Sequence, residues 1–408
     1  MIFETARALA LGALVSGGAA VLAPETAQAR SACVTTQSFS DWKSAFRGQA
    51  AAAGVSDATL RQAYDPIRRD GDVIRRDRRQ SFFALSFVDF SNRLVSTGRI
   101  SAGQRMIDRR SGAFQAAEAR YGVPAPVIAA FWALESDFGA GIKPENQHLI
   151  FDALATLAHD CRRPELFSEQ LLAALRLVDT GRIPYARMVG SWAGEIGETQ
   201  FLPSHVLNHG ADGDGDGRVD LNGSDADIIF STAAFIEHLG WRRGEPWLEE
   251  VRAPREMPWA EADLAIQHPV SAWRGWGVTR RDGAALRDGP PAALLLPMGR
   301  NGPAFLAYRN FQIYPEWNQS LNYAVTAAYL ATRMAGAPAY SPGRGPVESF
   351  SFEEIKALQA ALEARGLDTG GVDGKLGRKS RAAVKRAQID LGLPADSYPS
   401  RELLNRLR

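Results

Sequence analysis

A glutamate near the end of an apolar helix is the first group in this chain with the makings of a catalyst. Residues 126–138 read PVIAAFWALESDF, and Gly139 and Gly141 follow. Proline suits a first helical turn, and glycine ends one. Ile128, Phe131 and Glu135 are spaced i, i+3 and i+7, so they share one helix face. A carboxylate at the end of an apolar stripe loses solvent, and that favours its protonated form. A carboxylic acid protonated near neutral pH is what general acid catalysis requires. The spacing alone fits an exposed helix-end glutamate equally well. Asp137 falls about 200° further round the helix and is expected to point away into solvent.

A second group is acidic. Asp212, Asp214 and Asp216 alternate with glycines and match positions 1, 3 and 5 of a calcium loop, with Gly217 at the sharp turn. The Arg218 carbonyl and Asp220 continue the pattern at positions 7 and 9. Position 12 is Gly223 rather than glutamate, so the loop departs there, and Asp225 or Asp227 could close it from a lengthened loop. Asp227 also suits a helix cap before Ile228. The competing reading is a solvated turn held by its own Asp side chains.

The elements that must position these groups are mostly helical. Residues 38–335 are rich in Ala, Leu and Arg, and their apolar residues fall at helical spacing. Leu154, Leu157, Leu171, Leu172 and Leu175 do so, as do Phe82, Phe83, Leu85, Phe87 and Phe90. Strand signals are sparse. Gly336 to Pro346 is a Pro/Gly-rich linker, and a compact tail of about 60 residues follows, near the lower limit for independent folding. The expected division is residues 1–29, 30–335, 336–347 and 348–408.

With 408 residues, 47 Lys+Arg, 46 Asp+Glu and a net charge of +1, the chain has no overall field to attract nucleic acid. Arg7 precedes an apolar run from Ala8 to Ala23, and Ala27-Gln28-Ala29 is a small-x-small cleavage pattern. Residues 1–29 therefore read as a signal peptide for export, with a membrane anchor as the alternative. In an oxidising compartment, Cys33 and Cys161 can pair. Such a bridge would stabilise by roughly 4–5 kcal/mol at most through loop closure.

The block WALESDFG, Trp132 to Gly139, resembles the signature of lytic murein transglycosylases of the membrane-bound B type. Three further blocks follow in order. The second is Gly190-Ser191-Trp192-Ala193-Gly194 with Gly197, Thr199-Gln200-Phe201 and Pro203-Ser204. The third runs from Asp212 to Asp220 and from Ala233 to Trp241. The fourth holds Asn310-Phe311, Trp317-Asn318, Ser320 and Tyr323-Ala324. Glu195-Ile196 and Glu198 depart from the second block, where small or apolar residues and a Gln are usual. Both acids are expected at the surface. Trp317 stands where Tyr is commoner.

The resemblance implies a mainly α, lysozyme-like domain that cuts between N-acetylmuramic acid and N-acetylglucosamine in peptidoglycan. Glu135 would serve as acid and then as base, giving a 1,6-anhydro product without water. No cofactor would be needed. Ser191, Gln200, Trp317, Asn318 and Tyr323 would bind or position substrate. A hydrolytic muramidase and a non-catalytic wall-binding protein are the alternatives.

The tail pattern, including Leu358-Gln359, Asp373-Gly374, Gly377, Ser380 and Gln388, resembles a small three-helix peptidoglycan-binding domain. Its basic run, Arg378, Lys379, Arg381, Lys385 and Arg386, would be a solvated face or would attract wall carboxylates. The implied setting is the periplasm. The implied partners are glycan strands and, beyond them, other cell-wall enzymes.

Overall fold

A computed structural model describes residues 35–78 and 85–408. Residues 1–29, expected to be a signal peptide, and Cys33, Phe82 and Phe83 lie outside the described residues. The fold is mainly helical, as expected, and divides into two units.

The first unit takes in residues up to Ser81, Arg110–Ala119 and Phe131–His238. Its helices are α1 (Phe39–Ala52), α2 (Gly71–Arg78), the second half of α3 (Ala125–Ser136), α4 (Ile150–His159), α5 (Pro164–Asp179), α6 (Pro203–His209) and α7 (Asp225–His238). Phe131 of α3 and Leu154, Leu157, Leu171 and Leu175 of α4 and α5 are all buried, so the helical spacing of these leucines turns them into a core. Helix α3 is apolar nearly all round, which is the pattern of a helix enclosed by others. A short antiparallel pair, β1 (His148–Leu149) with β2 (Val189–Gly190), leads into the glycine-rich second block.

The second unit takes in Phe82–Arg109, Arg120–Ala130 and Leu239–Arg408. It holds α8 (Leu321–Met334) and a four-stranded antiparallel sheet, where strand signals in the sequence are sparse. The strands are β3 (Leu248–Arg252), β4 (Thr279–Arg280), β5 (Ala292–Leu295) and β6 (Ala304–Tyr308), in the order β4-β3-β6-β5. Strands β5 and β6 are buried at every position. They therefore read AALL and AFLAY, without the alternation that marks a half-exposed strand.

The tail forms three helices, α9 (Phe352–Glu363), α10 (Arg378–Asp390) and α11 (Arg401–Leu407), around Ile355, Leu358, Leu362, Val384 and Leu403. Ser351 and Glu354 close a reciprocal capping box at the start of α9. Buried Gln359 accepts the Gly374 N–H at 2.7 Å and donates to Asp373, which fixes the Asp-Gly turn.

The Pro/Gly segment is not a bare tether. Tyr340 packs on Phe87 and Tyr329, the Ser341 N–H donates to Glu250 at 2.6 Å, and the Arg344 N–H donates to the Asn301 carbonyl at 2.9 Å. The basic run of α10 is largely occupied within the protein. Arg381 donates to the Pro297 carbonyl, Lys385 pairs with Asp263 at 2.7 Å, and Lys379 and Arg386 pair with Asp368 and Asp390. Among the described residues no helix is long and apolar enough to cross a membrane.

Candidate active site

Glu135 is 5% exposed and lies one residue before the end of α3. The helix stops abruptly there. Asp137, Phe138 and Gly139 all take left-handed backbone, at φ +53°, +57° and +82°. Two of these are not glycine, and such a conformation costs about 1–2 kcal/mol per residue. The Ser136 hydroxyl accepts the Gly139 N–H at 2.9 Å, and the Gly141 N–H reaches the Ser136 carbonyl at 2.7 Å. Phe138 folds back edge-on against Trp132, with ring centroids 5.3 Å apart.

The second block supplies the neighbouring wall of the first unit. Gln200 is 7% exposed and also left-handed, at φ +53°. Its Nε2 donates to the Gly197 carbonyl at 2.8 Å, while its buried Oε1 has no protein donor. A buried acceptor without a donor costs free energy unless a ligand or water supplies one. Ser191 is committed to its own loop. Its hydroxyl donates to Glu195 at 2.8 Å and accepts the Ala193 and Glu195 N–H groups.

The expectation that Glu195 and Glu198 lie at the surface is corrected. Glu195 is 2% exposed and holds Ser191. Glu198 is half-buried and accepts the Trp132 indole N–H at 2.7 Å. Burial pushes the Glu198 carboxyl above the usual range, and the indole bond partly offsets this. Sequence order does not show which way a glycine-rich loop folds, and in this one both acids turn inward to a serine and a tryptophan.

The acidic loop forms around Asp227 rather than around a residue at position 12. Asp227 is 1% exposed and accepts the Gly213 and Asp220 N–H groups, each at 2.7 Å. Burial raises its carboxyl. Asp212 accepts the N–H groups of Gly215, Asp216 and Gly217, and the Gly217 bond leads in lowering its carboxyl. Carboxylate oxygens of Asp212, Asp214 and Asp227 lie within 4.8 Å of one another. Asp216 turns back to the Arg218 N–H, Asp220 pairs with Arg187 at 3.2 Å, and Asp225 pairs with Arg110. The loop thus offers three converging carboxylates, fewer than the pattern promised.

The fourth block belongs to the second unit. Trp317, Asn318 and Tyr323 are 7%, 2% and 2% exposed, so Trp317 is packed rather than presented as an open face. Asn318 accepts the Ser320 N–H at 3.0 Å, and Ser320 caps α8 just before Tyr323. Asn310 has a structural task, bonding the Arg242 N–H and the Arg242 and Glu245 carbonyls.

A buried acid at a strained helix end, in a mainly helical unit that also holds a glutamine with an unsatisfied buried oxygen, is the arrangement of a lysozyme-like glycan-cleaving enzyme. Residues 38–332 match the transglycosylase SLT domain and residues 352–407 the putative peptidoglycan-binding domain, so the chain belongs to the SLT transglycosylase family, of the lytic murein B type. It is 26% identical over 252 residues to membrane-bound lytic murein transglycosylase B of Escherichia coli (strain K12), covering 61% of this chain and 68% of that protein. It is also similar to SltB3 from Pseudomonas aeruginosa, solved in complex with NAG-anhNAM-pentapeptide and with NAG-NAM-pentapeptide. The identities are 37% and 38%, the TM-score is 0.82 for each, and 91% of this chain and 100% of that one are covered. SltB1 from the same organism, 24% identical with a TM-score of 0.62, shares the fold.

Proposed function

We propose that this protein is a peptidoglycan lytic transglycosylase that cleaves the MurNAc-GlcNAc β-1,4 bond, with Glu135 as its single acid and base. The observation that carries this reading is Glu135 itself, buried at the end of an apolar helix in a chain of this family. Glu135 donates its proton to the glycosidic oxygen as the bond to the anomeric carbon breaks. The carboxylate then takes the proton of the muramoyl 6-hydroxyl, whose oxygen closes on the anomeric carbon. The result is a 1,6-anhydro ring, and Glu135 ends as it began. Ordinary glycosidases use a second carboxylate to activate water or bond to the sugar. Here Glu195 and Glu198 are each engaged by a protein donor, Ser191 and Trp132. That supports the route without water. The relative captured with an anhydro-sugar peptide supports it too.

Gln200 offers its unpartnered Oε1 to a substrate hydroxyl or N–H, and the family resemblance assigns Asn318 and Tyr323 to substrate binding as well. Masses of the products released from purified sacculi test the reading. The transglycosylase leaves anhydro ends, whereas a muramidase adds one water to every cut.

Three further features belong to this reading. Residues 1–29 direct export to the periplasm. Cys33 and Cys161 form a disulfide, an inference supported by chain proximity: Thr35 bonds the His159 carbonyl at 3.3 Å, and His159 meets the Gln37 carbonyl at 2.8 Å. The Asp212, Asp214 and Asp227 cluster holds a calcium ion. Three hard oxygens on one short loop suit that cation, which would be structural and outside the chemistry.

A further inference from the structure

Glu198 is one of the acids by which the second block departs from the family pattern, and its carboxylate is tied to the helix that carries Glu135. Its Oε2 accepts the Trp132 indole N–H at 2.7 Å. A Cβ added to Gly139 would stand 2.5 Å from its Oε1 and 2.7 Å from its Oε2. Trp132 precedes Glu135 by three residues and Gly139 follows it by four. One carboxylate therefore spans the turn before the acid and the turn after it.

The Glu198 backbone is itself held. Its N–H donates to the Leu221 carbonyl at 2.8 Å. Gly197 makes that approach possible, because it is left-handed at φ +76° and a Cβ there would meet Leu221. The segment being braced is the strained one, Asp137 to Gly139. Strained backbone persists only where its surroundings over-determine it. Trp132 is 1% exposed, so without Glu198 its indole N–H would lose this acceptor in a buried place.

We propose that Glu198 is a positioning residue for Glu135: its carboxylate clamps the strained end of the catalytic helix through Trp132 and keeps the acid aimed at the glycosidic oxygen. The inference rests on Glu135 being that acid. A misplacement of about 1 Å at a reacting group can cost on the order of 100-fold in rate.

The test uses the full-length protein and soluble glycan strands, well below its melting temperature. Glu198→Met keeps the side-chain length and removes the acceptor. Its kcat should fall about 10-fold or more while KM stays within about twofold. Glu198→Gln keeps an acceptor oxygen for the indole and should recover at least about a third of the wild-type kcat. Trp132→Phe added to Glu198→Met should cost little more, because both break one interaction. A folded Glu198→Met protein with kcat within about twofold of wild type overturns the proposal, even if its melting temperature drops. If Glu198→Met does not fold, Trp132→Phe alone decides: a matching kcat loss supports the clamp, and normal kcat overturns it. Turnover by Glu135→Gln would overturn the acid assignment instead, whatever the Glu198 variants do.

Discussion

Glu135→Gln keeps the volume and one acceptor of the side chain but cannot exchange a proton. Release of anhydromuropeptides should fall by at least the roughly 100- to 10,000-fold typical of a lost general acid–base, while sedimentation with sacculi stays unchanged. Near-normal turnover would sink the assignment. The strain beside Glu135 bears on the same point. Asp137 and Phe138 in left-handed backbone, together with Gln200 across the second block, store energy where the chain must hold polar groups in fixed directions. Glu195 illustrates the complementary case. Its buried carboxylate is stabilised by the Ser191 hydroxyl, so Ser191 is a loop brace before it is a sugar contact.

At the scale of elements, two features of α6 and α7 invite measurement. The acidic loop between them gathers carboxylates that repel one another without a cation. Calcium should raise the melting temperature by several degrees over a chelated sample, and Asp212→Asn should abolish that increment. An unchanged melting curve in calcium and in chelator would argue against an ion. The second feature is a stack of imidazoles. His205 on α6 lies on Phe235 of α7 with centroids 4.3 Å apart, and His209 lies on His238 at 4.1 Å. Burial pushes His205 and His209 down to about 4, and the neighbouring imidazoles add to it. In the folded chain both stay neutral, whereas the unfolded chain gains protons below about pH 6.5. The contribution of these two histidines to stability should therefore fall as pH drops from about 6.5 to about 4 and change no further below that. For the partly buried His205 the loss is on the order of 3 kcal/mol or less. His205→Phe keeps the stacking and should flatten the decline of melting temperature with acid. Parallel curves for the two proteins would mean that His205 is not the titrating group.

For the whole molecule, the wall-binding tail and the segment before it decide how chemistry is delivered. Residues up to Arg344 are packed and bonded, so a clean truncation must fall after Pro346. Removing residues 347–408 should leave activity on soluble strands, because all four blocks precede the cut. Activity on insoluble sacculi should fall, since a tethered binding domain raises the local substrate concentration. The melting temperature should drop as well, because the cut strips Arg381, Lys385 and Asp396 from Pro297, Asp263 and Arg300. Loss of soluble-strand activity in a folded truncation would mean that the tail takes part in the chemistry. Cys33→Ser and Cys161→Ser should lower the melting temperature alike, and their combination should add little. Two free thiols in the oxidised protein would exclude the bridge.

Local pattern was enough wherever one short stretch sets its own structure. The helix before Gly139, the Asp-Gly loop, the three-helix tail and the helical core all follow from spacing, caps and turn residues close together in the chain. The four ordered blocks were likewise legible, and with them the family. The sheet β3–β6 was not, because fully buried strands such as Ala304–Tyr308 lack the alternation that separates strand from buried helix. Nor was the fate of Glu195 and Glu198. Whether an acid in a glycine-rich loop meets water, a serine or a tryptophan indole depends on left-handed turns and on partners far along the chain. The same holds for the basic run of α10, whose Lys385 finds Asp263 122 residues away. Charge and burial at these positions were settled by long-range packing, which only the tertiary structure supplies.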